Sequence, residues 1–233
     1  VNRITIAIDG FSSCGKSTLA RQLAQHLGYA YIDSGAMYRA VALYVMESGL
    51  VRDGMLLKEG LMKELDGLDI RFQHDPMTDR SATYLNGRNV ESEIRSMAVS
   101  NHVTLVSPVP EVRAKLVLLQ QRMGREKGVV MDGRDIGTVV FPDAEVKLFM
   151  TARPEVRAGR RYRELQGKGA QVTLAEVEDN IRKRDLDDTT RAADPLTQAP
   201  DAIVIDNSDI TAEEQFVKAL DIVLAVLAQV GQE

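Results

Sequence analysis

The run Gly10-Phe11-Ser12-Ser13-Cys14-Gly15-Lys16-Ser17 fits the spacing G-x-x-x-x-G-K-[ST], the P-loop pattern. Glycines let such a loop curl until successive N–H groups point inward at phosphate oxygens. A helix N-terminus placed after the loop adds positive partial charge. Lys16 can then reach the β- and γ-phosphates, and the Ser17 hydroxyl can ligate Mg²⁺. Gly10 through Thr18 are therefore the candidate nucleotide-binding residues: Gly10, Phe11, Ser12, Ser13, Cys14, Gly15, Lys16, Ser17 and Thr18. Cys14 has no base beside it in sequence and is read as a small packing residue, not a nucleophile.

Three further groups carry chemistry. Asp33-Ser34-Gly35-Ala36-Met37-Tyr38-Arg39 places Ser34 as an N-cap and Arg39 one turn into a helix, which suits either plain capping or a phosphate site. Asp132-Gly133-Arg134-Asp135 follows an apolar run, the usual place for a carboxylate that holds Mg²⁺ or its water. A salt-bridged surface turn is the other reading. Arg153, Arg157, Arg160 and Arg161 share one helical face and would repel one another without an anion, which suggests a lid closing over polyphosphate. A solvated helix face would have the same spacing. Arg184, Asp188 and Arg191 lie on one face if their segment is helical, with Arg184 and Asp188 spaced as an ordinary i,i+4 pair.

The elements that must position these groups follow from periodicity. Ile4–Ile8 reads as a buried strand, and Leu19, Leu23 and Leu27 recur at helical spacing before the stop at Gly28. Strands are expected at 29–32, 129–132, 146–150 and 202–206. Helices are expected at 36–48, 93–105, 110–126, from Pro154 onward, and at 212–229, where Phe216, Leu220, Val223 and Leu227 face the core. Residues 50–65 read as a loop and short helix. Block 66–92 breaks the rhythm with alternating runs and an Asn86-Gly87 hairpin turn. It is a small antiparallel insertion or an ordinary surface meander. Strands alternating with helices predict an α/β sandwich with a five-stranded parallel sheet. Its ligands belong beyond the carboxyl ends of the strands. Gly10–Ser17, Asp33-Ser34, Asp132–Asp135 and Arg153 all fall at that edge.

Composition narrows the classes. The 233 residues suit one domain with an insertion; 44% are hydrophobic and 27% charged. The net charge of −5 argues against a general nucleic-acid binder, and basic and acidic residues nearly balance across 151–191. One cysteine excludes an intrachain disulfide and fits a reducing compartment. No run approaches the ~20 apolar residues of a membrane span, and the chain enters its first strand directly. A cytoplasmic protein without membrane or nucleic-acid partners is expected. His26, His74 and His102 are too scattered for zinc.

Together these segments resemble the bacterial cytidylate kinases, within the nucleoside monophosphate kinases. The resemblance runs nearly end to end, on IDGFSSCGKST, DSGAMYR, ESEIR after the insertion, DGRDIGTVVFPDA and RDLDDTTRAADPL. It implies one P-loop kinase domain over 1–233, with an acceptor-binding insertion near 66–92 and an Arg-rich lid near 153–170. It implies ATP as phosphoryl donor, Mg²⁺ held by Ser17 and Asp132, and CMP or dCMP as acceptor, handled by a monomer. By the same resemblance, Ser34, Arg39, Arg134 and Arg191 match positions holding the acceptor phosphate, with Tyr38 beside them. Arg184 and Asp188 match positions at the sugar, and Thr104, Arg113 and Asp135 positions around the base. Lys16, Arg134, Arg157 and Arg161 are the expected catalytic residues. Phe11, Ser13 and Cys14 depart from the family's usual Pro, Gly and Ala but keep the spacing. Thr104 replaces a frequent Ser and keeps its hydroxyl.

A carboxylate at Asp135 can accept from the N4 amino group of cytosine and meets the O4 acceptor of uracil with like polarity. Two other classes remain to be weighed: a kinase for another small phosphate acceptor, and a GTP-hydrolysing switch. No N-K-x-D motif supports the switch.

Overall fold

The computed structural model describes residues 3–75, 80–167 and 169–231. Strand β1 (Thr5–Gly10) leads through the Gly-rich loop to α1 (Lys16–Leu27), β2 (Ala30–Asp33) and α2 (Ser34–Glu47). A hairpin, β3 (Val51–Arg52) and β4 (Met55–Leu56), precedes α3 (Lys58–Leu65). Then come β5 (Ile70–Asp75), β6 (Arg80–Leu85) and β7 (Arg88–Asn89), a 3₁₀ turn at Glu93–Arg95, α4 (Met97–Val106) and α5 (Pro110–Met123). The chain continues with β8 (Val129–Gly133), a π-helical turn at Ile136–Val140, β9 (Val146–Thr151) and α6 (Pro154–Gly167). It ends with α7 (Leu174–Thr190), β10 (Ile203–Asp206) and α8 (Ala212–Val230).

The chain forms two compact units. One comprises Val1–Tyr31 with Gly124–Glu233, the other Ile32–Met123. The five-stranded sheet has the order β10-β9-β1-β8-β2. Strand β1 lies parallel between β8 and β9, with Asp9 opposite Gly133 and Gly10 opposite Met150. This register puts the start of the loop beside the end of β8, where Asp132 to Asp135 emerge. Ile4, Ile6 and Ile8 pack with Leu19, Leu23, Val130, Leu148, Met150 and Val223 in the core of this unit. A strand buried on both faces reads as a near-continuous apolar run, and after Thr5 β1 does so until Asp9.

Gly10 is one of the positions where only glycine fits. Its φ is 142°, and a Cβ there would meet the Met150 carbonyl oxygen at 2.0 Å. Gly10→Ala is expected to cost at least about 3 kcal/mol, because backbone strain adds to a clash with backbone. Denaturant titration of the variant checks this.

In the second unit, α2 is apolar nearly all round. Its Met37, Ala40, Val41 and Val45 pack with Ile70, Leu85, Val99, Val106 and Leu116. The three-stranded antiparallel sheet β5-β6-β7 occupies most of block 66–92. Asn86 and Gly87 take φ of 50° and 80°, as the hairpin turn requires. In residues 50–65 the expected short helix is α3, but the expected loop before it is a hairpin. Asp53 and Gly54, also at positive φ, close the hairpin β3–β4 first. The Asp-Gly signal was present, but strands of two residues carry no readable alternation. The expected helix 93–105 begins as a 3₁₀ turn, and α4 starts only where Ser96 accepts the Val99 N–H. Among the described residues no helix is long and apolar enough to cross a membrane.

Candidate active site

The loop after β1 curls as its glycines allow. Gly15 sits at φ 87° as the N-cap of α1, and Ser13 adopts φ 59° without being glycine. Gly15 offers no side-chain acceptor, and no acidic residue stands in the first turn of α1. The positive end of the helix is thus left for an anion. Lys16 is only 5% exposed, and its Nζ donates to the Phe11 carbonyl oxygen at 2.6 Å. Burial, then the charge of Arg134, lowers the Lys16 pKa. An ammonium held in so dry a place gains strongly from any anion that reaches it.

The two residues expected to serve Mg²⁺ meet directly. Ser17 Oγ donates to Asp132 Oδ2 at 2.8 Å, and the Tyr31 hydroxyl donates to Asp132 Oδ1 at 2.8 Å. Buried Asp132 is therefore oriented through both oxygens.

The turn after β8 carries a second charged group. Arg134 Nε donates to Asp188 Oδ2 at 2.7 Å. Arg191 stands nearby, its Nη1 3.8 Å from Asp188 and its Nη2 3.9 Å from Asp135. Its guanidinium also donates to the Asp194 carbonyl oxygen at 2.8 Å. Burial works against both ions of the Arg134–Asp188 pair. Their mutual attraction outweighs it, raising the arginine pKa and lowering the aspartate's, with Arg184 and Arg191 assisting at Asp188. The i,i+4 pairing of Asp188 with Arg184 is thus secondary, and Arg134 is its main partner. Helix α7 ends at Thr190, so Arg191 is its C-cap residue.

The arginines of 153–161 do not form one self-repelling face. Arg153 makes a bidentate pair with Asp209, both bonds 2.7 Å, and touches Glu155. Arg157 is 3% exposed. It pairs with Asp185 at 2.7 Å, reaches the Ser12 carbonyl oxygen at 3.3 Å, and lies 5.1 Å from the Phe11 ring centroid. Phe11 in turn packs edge-on against Phe149. Arg160 clasps Asn207 through two 2.8 Å bonds, and Arg161 pairs with Glu164 at 2.8 Å. Asp209, Asp185 and Glu164 pair with three of these arginines and the neutral Asn207 holds Arg160, so no bound anion is needed to hold the row together. Helices α6 and α7 share a small apolar cluster of Ala158, Leu165, Val177 and Ile181. Lys168, within the expected lid, lies outside the described residues.

Within the second unit, Ser34, Tyr38 and Arg39 occupy the first turns of α2. Asp33, not Ser34, is the N-cap, its carboxylate accepting the Ala36 N–H at 3.0 Å. Ser34 is already in helical conformation and buried. Arg39 Nη1 donates to Ser100 Oγ at 2.6 Å and to the Ile94 carbonyl at 3.2 Å. The Arg113 guanidinium, almost fully buried, lies 5.4 Å from the Tyr38 ring centroid. Thr104 turns its hydroxyl back to the Asn101 carbonyl within α4.

Comparison with known proteins follows this pattern. The family model described as cytidylate kinase matches residues 6–224. The chain belongs to the cytidylate kinase family. A cytidylate kinase from Flavobacterium psychrophilum is 53% identical over 223 residues, 96% of this chain and 99% of that one. One from Parabacteroides distasonis is 54% identical over 215 residues, covering 92% and 94%. One from Porphyromonas gingivalis is 54% identical over 213 residues, covering 91% and 92%.

Several residues around this kinase's candidate site carried little signal in the sequence. Tyr31 orients Asp132 from a strand that reads as ordinary core. Asp185 holds Arg157 although Asp187 and Asp188 stand as near in sequence. Asn207 Nδ2 donates to the Cys14 carbonyl oxygen at 2.7 Å, across 193 residues, and also to Gln215. Asp9 is buried at the end of β1 and accepts two backbone N–H bonds. Burial pushes its pKa up to about 6 against those two bonds. A raised aspartate pKa means folding stability declines as pH rises from about 4 through 6. The one sequence clue to Asp9 was a charge closing an apolar strand.

Proposed function

We infer that this protein moves the γ-phosphoryl group of ATP to CMP or dCMP, giving ADP and CDP or dCDP. The observation that carries the reading lies within one compact unit. There, a triphosphate-type loop with buried Lys16 stands within Coulombic reach of the Arg134–Asp188 pair. A donor site and a second, anion-binding site on the same sheet edge suit a transferase better than a hydrolytic switch.

The acceptor phosphate is already an anion at neutral pH, so positioning and charge neutralisation do most of the work. Lys16 exchanges the Phe11 carbonyl for donor phosphate oxygens. Arg157 and Arg161 neutralise the donor side, and Arg157 already lies against the loop. Arg134 and Arg191 take the acceptor phosphate, and Arg184 and Asp188 the sugar. In the second unit, Ser34, Tyr38, Arg39, Thr104 and Arg113 are the proposed substrate-binding positions. Ser17 and Asp132 fit Mg²⁺: a hydroxyl and a buried carboxylate in contact are hard oxygen donors, and this ion takes few protein ligands beside phosphates. They are the residues that would hold it, and bound there it supplies charge neutralisation at the β- and γ-phosphates. The protein is proposed to act as a monomer on small molecules.

Asp135 reads the base by accepting from the cytosine amino group. Asp135→Ala is expected to narrow the CMP-to-UMP ratio of kcat/KM by about 10- to 100-fold, the worth of one specific base contact. An unchanged ratio removes Asp135 from base recognition. The wider test is an acceptor panel with ATP and Mg²⁺. CMP and dCMP should lead; fast GTP turnover without any acceptor would sink the reading.

A further inference from the structure

Asn207 follows β10 directly and is 1% exposed. Its backbone N–H donates to the Thr151 carbonyl oxygen at 3.0 Å, which ties it to the end of β9. On α6, Arg160 Nη1 donates to its Oδ1 and Nη2 to its backbone carbonyl oxygen, both at 2.8 Å. Its Nδ2 donates to the Cys14 carbonyl oxygen at 2.7 Å and to Gln215 Oε1 in the first turns of α8. An arginine can only donate and a backbone carbonyl can only accept, so these partners admit one orientation of the amide. The Gly-rich loop, α6 and α8 therefore meet on one buried side chain, all within the unit built from Val1–Tyr31 and Gly124–Glu233. The Cys14–Gly15 peptide is trans and planar, with its N–H opposite its C=O. Drawing the Cys14 carbonyl toward Asn207 turns the Gly15 N–H the other way. A Cβ on Gly15 would stand 3.7 Å from Asn207 Nδ2 and 3.9 Å from Gln215 Oε1, so both amides back onto the loop at this residue.

We propose that Asn207 is a positioning residue for the phosphoryl donor: it holds the Cys14 carbonyl on the outside of the loop, so that the Gly15 N–H faces the donor phosphates before nucleotide arrives. This rests on the reading of Gly10–Thr18 as the donor site. Asn207 touches no substrate; it acts through the Cys14–Gly15 peptide. Arg160 sets which end of the amide faces the loop, and Gln215 takes the second N–H of Nδ2. A peptide free to rotate would spend time with its oxygen toward the phosphates, where like polarity opposes binding. Fixing it beforehand removes the cost of ordering it when the donor binds.

Asn207→Ala is the direct test. It removes the clamp without adding charge and leaves Arg160 its backbone acceptor. Calorimetry should show affinity for ADP falling about tenfold, the worth of one well-placed hydrogen bond to a charged group. Affinity for CMP should stay within about twofold, and KM for ATP should rise by more than kcat falls. In ¹⁵N-labelled protein, the Gly15 amide resonance should shift on adding ADP to the parent and shift less in Asn207→Ala. Gln215→Leu is a second variant that acts from behind, leaving one Asn207 N–H without its acceptor. It should weaken ADP binding in the same direction by about threefold. A merely structural role would lower thermal stability and the fraction of active protein while leaving both affinities where they were. That result, or equal losses for ADP and CMP, overturns the proposal. If Asn207→Ala does not fold, ADP affinity unmoved in Gln215→Leu decides against it. Should Lys16→Ala keep full turnover, the reading of the loop as the donor site fails first and takes this inference with it.

Discussion

Lys16→Ala should lower kcat for CMP phosphorylation by about 10²- to 10³-fold, the usual loss when one preorganised charge-stabilising donor is removed. The ammonium is buried and held on the loop's own Phe11 carbonyl, so it is in place before any phosphate arrives. Charge that is already desolvated and oriented needs no further reorganisation as the transition state forms. The same burial lowers the Lys16 pKa, which means the folded state carries a cost for keeping this charge. Its removal should therefore leave stability nearly unchanged or slightly raised. Affinity for CMP should fall less than about threefold, because the acceptor arginines are untouched. Quench-flow turnover, calorimetric CMP binding and thermal unfolding measure the three effects separately. A kcat within tenfold of the parent protein would remove Lys16 from the chemistry.

Arg134→Ala should act on both stability and rate, and the two effects can be separated. Its guanidinium is bonded to Asp188 at 2.7 Å with both side chains largely buried. Truncation leaves a buried carboxylate with a weaker partner, Arg191, at 3.8 Å. The expected loss is about 2–3 kcal/mol, toward the low end for breaking a buried pair, because that second arginine remains. Removing the carboxylate as well, in Arg134→Ala/Asp188→Ala, should recover most of the stability and none of the activity. The kcat/KM for CMP should fall by about 10³-fold in both variants. The pH dependence has a definite sign. Asp188 is held below its ordinary pKa, so its contribution to stability is present at neutral pH and is lost as pH falls below about 4. Urea titrations at several pH values should show this acid sensitivity reduced in the double variant. Restored stability with restored turnover would make Arg134 a structural ion and nothing more.

These two residues show how unevenly the site could be read in the chain. Lys16 was legible because its chemistry depends on neighbours within eight positions, and a loop motif states all of them. Arg134 was legible as a charge at a strand end, but its partner was not. Several acids in 176–188 were available to it, and sequence spacing favoured giving Asp188 to Arg184. The choice was made by distance and desolvation across the fold. The reading of Arg153, Arg157, Arg160 and Arg161 as a self-repelling face fell for the same reason. Helical spacing places like charges together, yet says nothing of Asp185, Asn207 and Asp209 arriving from other segments. Ser34 was misplaced as a cap by one residue, since Asp33 beside it has an equally suitable side chain and only backbone conformation distinguishes them.

The sequence by itself determined the alternation of strands and helices, the phosphate loop and the family. Each of these is encoded over short distances, in apolar periodicity, in glycine's backbone freedom and in runs of adjacent functional groups. Only the tertiary structure decided which ion meets which, that Tyr31 and Ser17 hold Asp132 from two sides, and that Asp9 caps a turn begun by Asp135. Those choices depend on the separation of atoms far apart in the chain and on how completely water is removed around them. Linear order carries neither quantity.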